Sequence, residues 1–175
     1  MAQFCKKIYT NKKNLIKESN INRQKLFQNS NNILGVLIRG TDYISINPKG
    51  HPKAPKAEMV IQDIIIMDKK YKYDWIFIAT EDNIIRNKFI KEFGDKLKYL
   101  LPKENIQYNY ANKTYLAFNQ GIKGNLESLK IYLKNIIILS KCIDIIKSRT
   151  NGSVGLFILT EGFRYKKVYY LGLYR

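Results

Sequence analysis

The sequence predicts a three-layer α/β domain built around a parallel sheet, and three observations predict it. From about Asn32 onward, short apolar runs alternate with amphipathic segments, as strands and helices do when they take turns. The apolar runs are short and continuous, so they read as buried strands. A chain of 175 residues that is 45% hydrophobic and 13% aromatic holds enough apolar material for one compact domain.

Residues 1–31 stand apart. They are polar and helix-compatible, and Leu15, Ile16, Ile21, Leu26 and Phe27 supply too little apolar surface for a domain. They read as a helical N-terminal extension to an α/β domain over 32–175. Residues 33–38 (ILGVLI) form the first strand. A loop rich in Gly, Pro and Lys runs to about Pro55, and a helix follows over 57–70, with Met59, Val60, Ile64 and Met67 at helical spacing. Residues 75–79 (WIFIA) form the second strand. Ile84, Ile85, Phe89, Ile90 and Phe93 mark the next helix, which Gly94 closes where helices favour glycine. Residues 97–100 fit a short third strand that Pro102 ends. The polar stretch to about Gly124 has no period and reads as loop. Asn125 then suits the N-cap of a helix with Leu126, Leu129, Leu133, Ile136 and Ile137 on one face. Residues 142–146 read as the fourth strand, the turn 148–153 leads into a helix through Leu156 and Leu159, and 168–171 is the last strand.

Thirty-one Lys and Arg against 14 Asp and Glu give a formal charge of +17. Such an excess draws nucleic acid, anionic membrane and phosphorylated ligands by the same field. The lysines are scattered, and Ile, Asn, Lys and Tyr are heavy throughout, so the charge by itself selects no partner. Tyr71-Lys72-Tyr73 reads as a solvated helix end, not a recognised nucleic-acid module. Peripheral contact with an anionic membrane stays open. No apolar run approaches the ~20 residues of a membrane span, and the N-terminus (MAQFCKKIYTNKK) has no apolar core followed by a cleavage site. The expectation is a cytoplasmic protein. Two cysteines, Cys5 and Cys142, and one histidine, His51, exclude a disulfide scaffold and argue against zinc and against Ser–His or Cys–His triads. His51, before Pro52, reads as a solvated loop residue.

In an open parallel sheet, ligands collect beyond the carboxyl ends of the strands. Three such ends are chemically loaded. After the first strand come Arg39, Gly40, Thr41, Asp42 and Tyr43. Arginine presents a rigid fork of donors for phosphate or carboxylate, and Gly40 would let a ligand approach the backbone. The alternative is an Arg39–Asp42 ion pair that holds the loop. After the second strand, Thr80, Glu81 and Asp82 suit either a ligand contact or the N-cap of the next helix, and local sequence favours the cap. After the fourth strand, Ser148, Arg149, Thr150, Asn151, Gly152 and Ser153 stand at a helix start, where unpaired N–H groups attract anions. An ordinary N-cap is the alternative there.

Together, 35–43 (GVLIRGTDY), 76–82 (IFIATED) and 139–142 (LSKC) running into 148–153 (SRTNGS) resemble the three ordered motifs of the fucosyltransferase superfamily, which contains the α-1,6-fucosyltransferases, the NodZ type and the protein O-fucosyltransferases. The resemblance covers roughly Asn32 to Tyr174. It implies a Rossmann-like sheet similar to the C-terminal, donor-binding half of a GT-B-like glycosyltransferase. It implies inverting transfer of fucose from GDP-fucose, or a related nucleotide sugar, to a glycan or glycolipid hydroxyl, with no required metal or other cofactor. Arg39 falls on the arginine that steadies the leaving diphosphate, and Asp42 on the acid closing that motif, the nearest candidate for a catalytic base. Thr80, Glu81 and Asp82 fall beside the nucleotide, and Gly40, in the donor-binding set, stands where some members have a second arginine. Thr150, Asn151 and Gly152 fall on the phosphate turn, and Ser148 and Ser153 flank them in the same donor-binding stretch. Asn135 stands where relatives use an aspartate to hold the nucleoside, and Leu37 where many have a histidine. The same resemblance leaves open a shortened chain that binds a nucleotide sugar without turning it over. A basic nucleic-acid-binding domain is a third possibility.

Overall fold

The computed structural model describes residues 2–40, 47–101, 121–160 and 165–175, with the side chains at 2–12, 121–128 and 151 left aside. In chain order the elements are α1 (Ala2–Phe27), β1 (Ile33–Leu37), α2 (Ala57–Tyr71), β2 (Trp75–Ala79), α3 (Asn83–Phe93), β3 (Leu97–Lys98), α4 (Gly121–Leu139), β4 (Asp144–Ser148), α5 (Asn151–Leu159) and β5 (Tyr165–Tyr169). The strands form one parallel sheet in the order β3-β2-β1-β4-β5. That is a Rossmann-like α/β arrangement.

Helices cover both faces, which is why β1 and β2 carry no charged or amide side chain at any position. Leu34, Val36, Ile38, Ile76, Ile78 and Ile146 bury against Val60 and Ile64 of α2 and Ile85 and Phe89 of α3. Ile33, Leu37, Phe77, Ala79 and Ile145 bury on the other face with Phe27 of α1, Ile136, Ile138 and Leu139 of α4, and Leu156 of α5. The N-terminal helix is therefore anchored to the second layer. The Phe27 ring meets Phe77 edge-on at 5.7 Å between centroids, the Trp75 indole N–H donates to the Phe27 carbonyl at 3.1 Å, and Lys134 pairs with Glu18 at 2.6 Å.

Gly35 sets how closely α4 approaches β1. A Cβ there would stand 2.8 Å from Leu139 Cδ2 and 3.0 Å from Cys142 Sγ. A straight helix rises about 1.5 Å per residue and a strand about 3.3 Å. With Leu139 level with Gly35, Tyr132 lies about 10 Å higher, opposite the end of β1, and the N-terminal turns of α4 overhang the sheet.

Several boundaries differ from the sequence expectation. The first strand stops at Leu37, not Ile38, and β3 holds only Leu97 and Lys98, not 97–100. The fourth strand spans 144–148, not 142–146. Cys142 is buried in the turn beneath Gly35, and the ladder instead runs on into Lys147 and Ser148, which pair with β5. Apolar runs report burial, whereas the strand is fixed by backbone pairing. The last strand spans 165–169, not 168–171, because an edge strand needs no continuous apolar run. Helix α4 starts at Gly121, so Asn125 lies inside it and is not its N-cap. Gly121 and Gly124 each weaken a helix by about 1 kcal/mol without ending it. Its buried face carries Asn135, Ile136, Ile138 and Leu139, while Leu129 and Leu133 are exposed on the overhang. No helix among the described residues is long and apolar enough to cross a membrane.

Candidate functional site

The connections from β1 and into β4 leave in opposite directions, through α2 toward β2 and from α4 on the other side. A crevice opens outside the carboxyl ends of two such strands, and ligands of open α/β sheets bind there. Arg39 and Gly40 follow β1, Ser148 ends β4, and 150–153 begin α5 at the same edge. Thr80, Glu81 and Asp82 follow β2, the other neighbour of β1. The structure thus brings the loaded strand ends to one edge of the sheet. Thr41, Asp42 and Tyr43, among them the candidate base Asp42, lie outside the described residues.

Glu81 joins the first two strand ends. Its Oε1 accepts the Gly40 N–H at 3.0 Å and stands 3.9 Å from Arg39 Nε. Asp82 is buried as the N-cap of α3, accepting from the Ile84 and Ile85 amides at 2.8 and 3.1 Å, and Thr80 Oγ1 accepts the Asp82 amide at 3.1 Å. Asp82 and Thr80 thus spend these oxygens on the helix start. The space beside Gly40 goes to packing: a Cβ would stand 2.3 Å from Asp82 Oδ2 and 2.5 Å from its Cβ. Asp82, not a ligand, occupies the approach that the missing side chain opens.

At the start of α5, Ser153 Oγ donates to the Thr150 carbonyl at 2.6 Å and accepts the Thr150 amide at 3.3 Å. The Ser153 carbonyl accepts the Tyr165 hydroxyl at 3.2 Å. Ser153 therefore shapes the turn. Arg149 follows Ser148 and lies over the Tyr170 ring, 5.5 Å from its centroid, at the same edge. The loop with His51 is laced to the C-terminal segment: the Tyr174 amide donates to the His51 carbonyl and the Gly50 amide to the Tyr174 carbonyl, each at 2.9 Å. The His51 side chain is exposed.

Two oxygens in this region have no hydrogen-bond partner among the described residues. They are Ser148 Oγ at the end of β4 and Asn135 Oδ1 on α4, both in buried side chains. A buried polar group without a partner costs about 1–3 kcal/mol. Groups of this kind are explained when a ligand or ordered water completes them.

Tyr132 is the residue that the sequence did not bring forward. It lies one helical turn before Asn135, and its hydroxyl fills the space beside Gly152, where a Cβ would stand 2.2 Å from it. Burial pushes its phenol up, the nearby Arg39 pulls it down, and Glu81 pushes it up. Tyr132 thus meets the α5 N-terminus at Gly152, and the charges of Arg39 and Glu81 act on its hydroxyl. Only the overhang of α4 brings it there, and no motif marks it. The signal was its spacing of three from Asn135, which shares a face with it on a helix.

Neither the protein-family models nor the curated proteins contain a match to this chain. The arrangement itself offers a guanidinium, a helix N-terminus, a phenol and two unspent oxygens, a set suited to an anionic ligand that also carries hydrogen-bonding groups.

Proposed function

We propose that the crevice between β1 and β4 binds a nucleoside diphosphate sugar, and that the chain is a donor-binding domain of a fucosyltransferase-like glycosyltransferase. Ser148 Oγ and Asn135 Oδ1, without partners among the described residues, carry the reading, because both side chains are buried and both belong to the donor-binding set expected from the sequence. The diphosphate would lie between Arg39 and the α5 amides. Asn135 Oδ1 can accept from an N–H of the base, as guanine offers. GDP-fucose is the donor that the resemblance favours, and a hydroxyl of a glycan or glycolipid is the acceptor.

The chemistry asked of these residues is electrostatic. A glycosyl diphosphate breaks through an oxocarbenium-like state as charge grows on the departing phosphate, so a fixed cation at Arg39 helps more in the transition state than in the ground state. Losing one such contact typically costs ~2.7–4 kcal/mol of barrier. A second reading, a module that binds the nucleotide sugar without transfer, is favoured by Glu81, whose carboxylate beside Arg39 offsets part of that charge.

Thermal shift and calorimetry with GDP, UDP, ADP and GDP-fucose test the proposal on this chain and on Arg39→Ala. A ligand that binds only the folded state raises its melting temperature. Selective stabilisation by GDP and GDP-fucose, lost in Arg39→Ala, is the expected result. No response to any of the four overturns the donor-site reading. Binding of GDP-fucose without its consumption over a panel of glycan acceptors selects the binding module.

A further inference from the structure

We propose that the outer face of the α1/α4/α5 layer docks on an anionic lipid bilayer, with α5 as the inserted element. Helix α5 buries one side and exposes an apolar one. Its inner side buries Gly152, Ser153 and Leu156 against the domain, while Val154 and Ile158, four residues apart, are 59% and 68% exposed, with Phe157 and Leu159 also exposed. Among the described residues nothing covers this second stripe, which a helix with one face already buried in its own domain does not need for folding. No charged residue interrupts α5. The neighbouring α4 adds exposed Leu129 and Leu133, again four apart, and α1 adds exposed Ile16 and Ile21.

Charge decides the occupant. α1, α4 and α5 together carry 10 Lys and Arg against 2 Glu, whereas α2 and α3 on the opposite face carry 5 against 4. Lys13, Lys17, Lys25, Lys130 and Lys141 are exposed on the basic layer. A second copy of this chain in a two-fold contact would set this cationic layer against itself. Protein interfaces are depleted in lysine, so a protein partner fits poorly too. An anionic bilayer takes both features at once: apolar side chains enter the acyl boundary while lysine stems lie along it with their ammonium groups among the phosphates. Each basic residue near such a surface adds about fivefold to the partition coefficient. The inference rests on this surface and not on the nucleotide reading.

Co-sedimentation with phosphatidylcholine vesicles containing phosphatidylglycerol, against pure phosphatidylcholine, tests it without nucleotide. The expected result is sedimentation with the anionic vesicles alone, weakening as salt is raised. The double variant Val154→Ser, Ile158→Ser should weaken it by roughly tenfold or more, with an unchanged circular dichroism spectrum because both side chains are exposed. No sedimentation with anionic vesicles overturns the proposal. So does sedimentation indifferent to the double variant, which charge alone would explain. A dimer at sedimentation equilibrium that the double variant dissociates overturns it as well, since a second copy then covers the face. Any of these leaves the nucleotide titration to be judged separately.

Discussion

Replacing Gly40 by alanine introduces a methyl group where Asp82 already stands. The new Cβ would meet Asp82 Oδ2 at 2.3 Å, Cγ at 2.7 Å and Cβ at 2.5 Å, against the 3.4–4 Å of ordinary contact. Asp82 must therefore move by about 1 Å, and rotating the carboxylate does not suffice because its own Cβ is among the clashing atoms. Displacing it breaks the bonds to the Ile84 and Ile85 amides. Loss of an N-cap costs ~1 kcal/mol, and overpacking adds about 1–3 kcal/mol. The alanine offsets about 0.4–1 kcal/mol by restricting the unfolded chain. The net expectation is a loss of about 1–3.6 kcal/mol, or roughly 2–14 °C in Tm for a domain of this size. Urea and thermal melts read it, and the cycle with Asp82→Gly isolates the clash. In the Asp82→Gly background the Gly40→Ala step should cost less than about 0.5 kcal/mol. A neutral Gly40→Ala in the native background, or an equal cost in both, refutes the steric reasoning.

The remaining predictions follow from buried groups. Ser148→Ala removes a buried hydroxyl that has no partner among the described residues, so it should leave the unliganded protein unchanged or up to about 1 kcal/mol more stable while weakening GDP binding by roughly fivefold or more; melts and calorimetry on the same sample separate the two. Tyr73, buried beneath the sheet, donates to Asp144 Oδ2 at 2.5 Å, and Tyr73→Phe should cost about 1–3 kcal/mol in a urea melt. Burial pushes the Cys142 thiol up from 9.0 to about 12, and burial with the hydrogen bonds to Asp144 and Asp63 holds the Tyr73 and Tyr169 phenols well above the usual 10.0. Because the folded values are the raised ones, their contribution is complete below the unfolded values and declines as pH rises past them. The urea midpoint should fall from about pH 9 upward, and a flat midpoint to about pH 11 would contradict it. In a Cys5→Ser background, Cys142 should resist thiol reagents at about pH 8 until denaturant is added.

Much of the fold was legible because burial leaves a direct imprint on residue type. Residues 75–79 and the Asn83–Phe93 helix with its Gly94 end match the sequence closely, since a doubly covered strand must be apolar throughout and glycine suits the cap. The fourth and fifth strands were misplaced by two or three residues because pairing with β1 and β4, not apolarity, sets their ends. For α4 the apolar period placed Ile136 correctly but turned Leu129 and Leu133 inward, where they are exposed. Four consecutive residues from Ile136 to Leu139 are apolar, so no periodicity singles out one face, and the bare Gly35 beneath Leu139 does.

The site divides the same way. From its residues alone the chain determined that Arg39, Glu81 and the 148–153 turn stand at strand ends, because strand order along the chain already sends chemistry to the carboxyl edge. The tertiary structure alone decided that Gly40 makes room for Asp82, that Glu81 ties to Arg39 and the Gly40 amide, and that Tyr132 reaches Gly152. It also decided that Ser148 and Asn135 keep unspent oxygens and that α5 shows its second apolar stripe to solvent. The contacts among these join residues apart in the chain and are fixed by how long a helix is relative to the strand beneath it and by which side chain is too small to hold it off; the unspent oxygens and the exposed stripe follow from what those contacts leave uncovered.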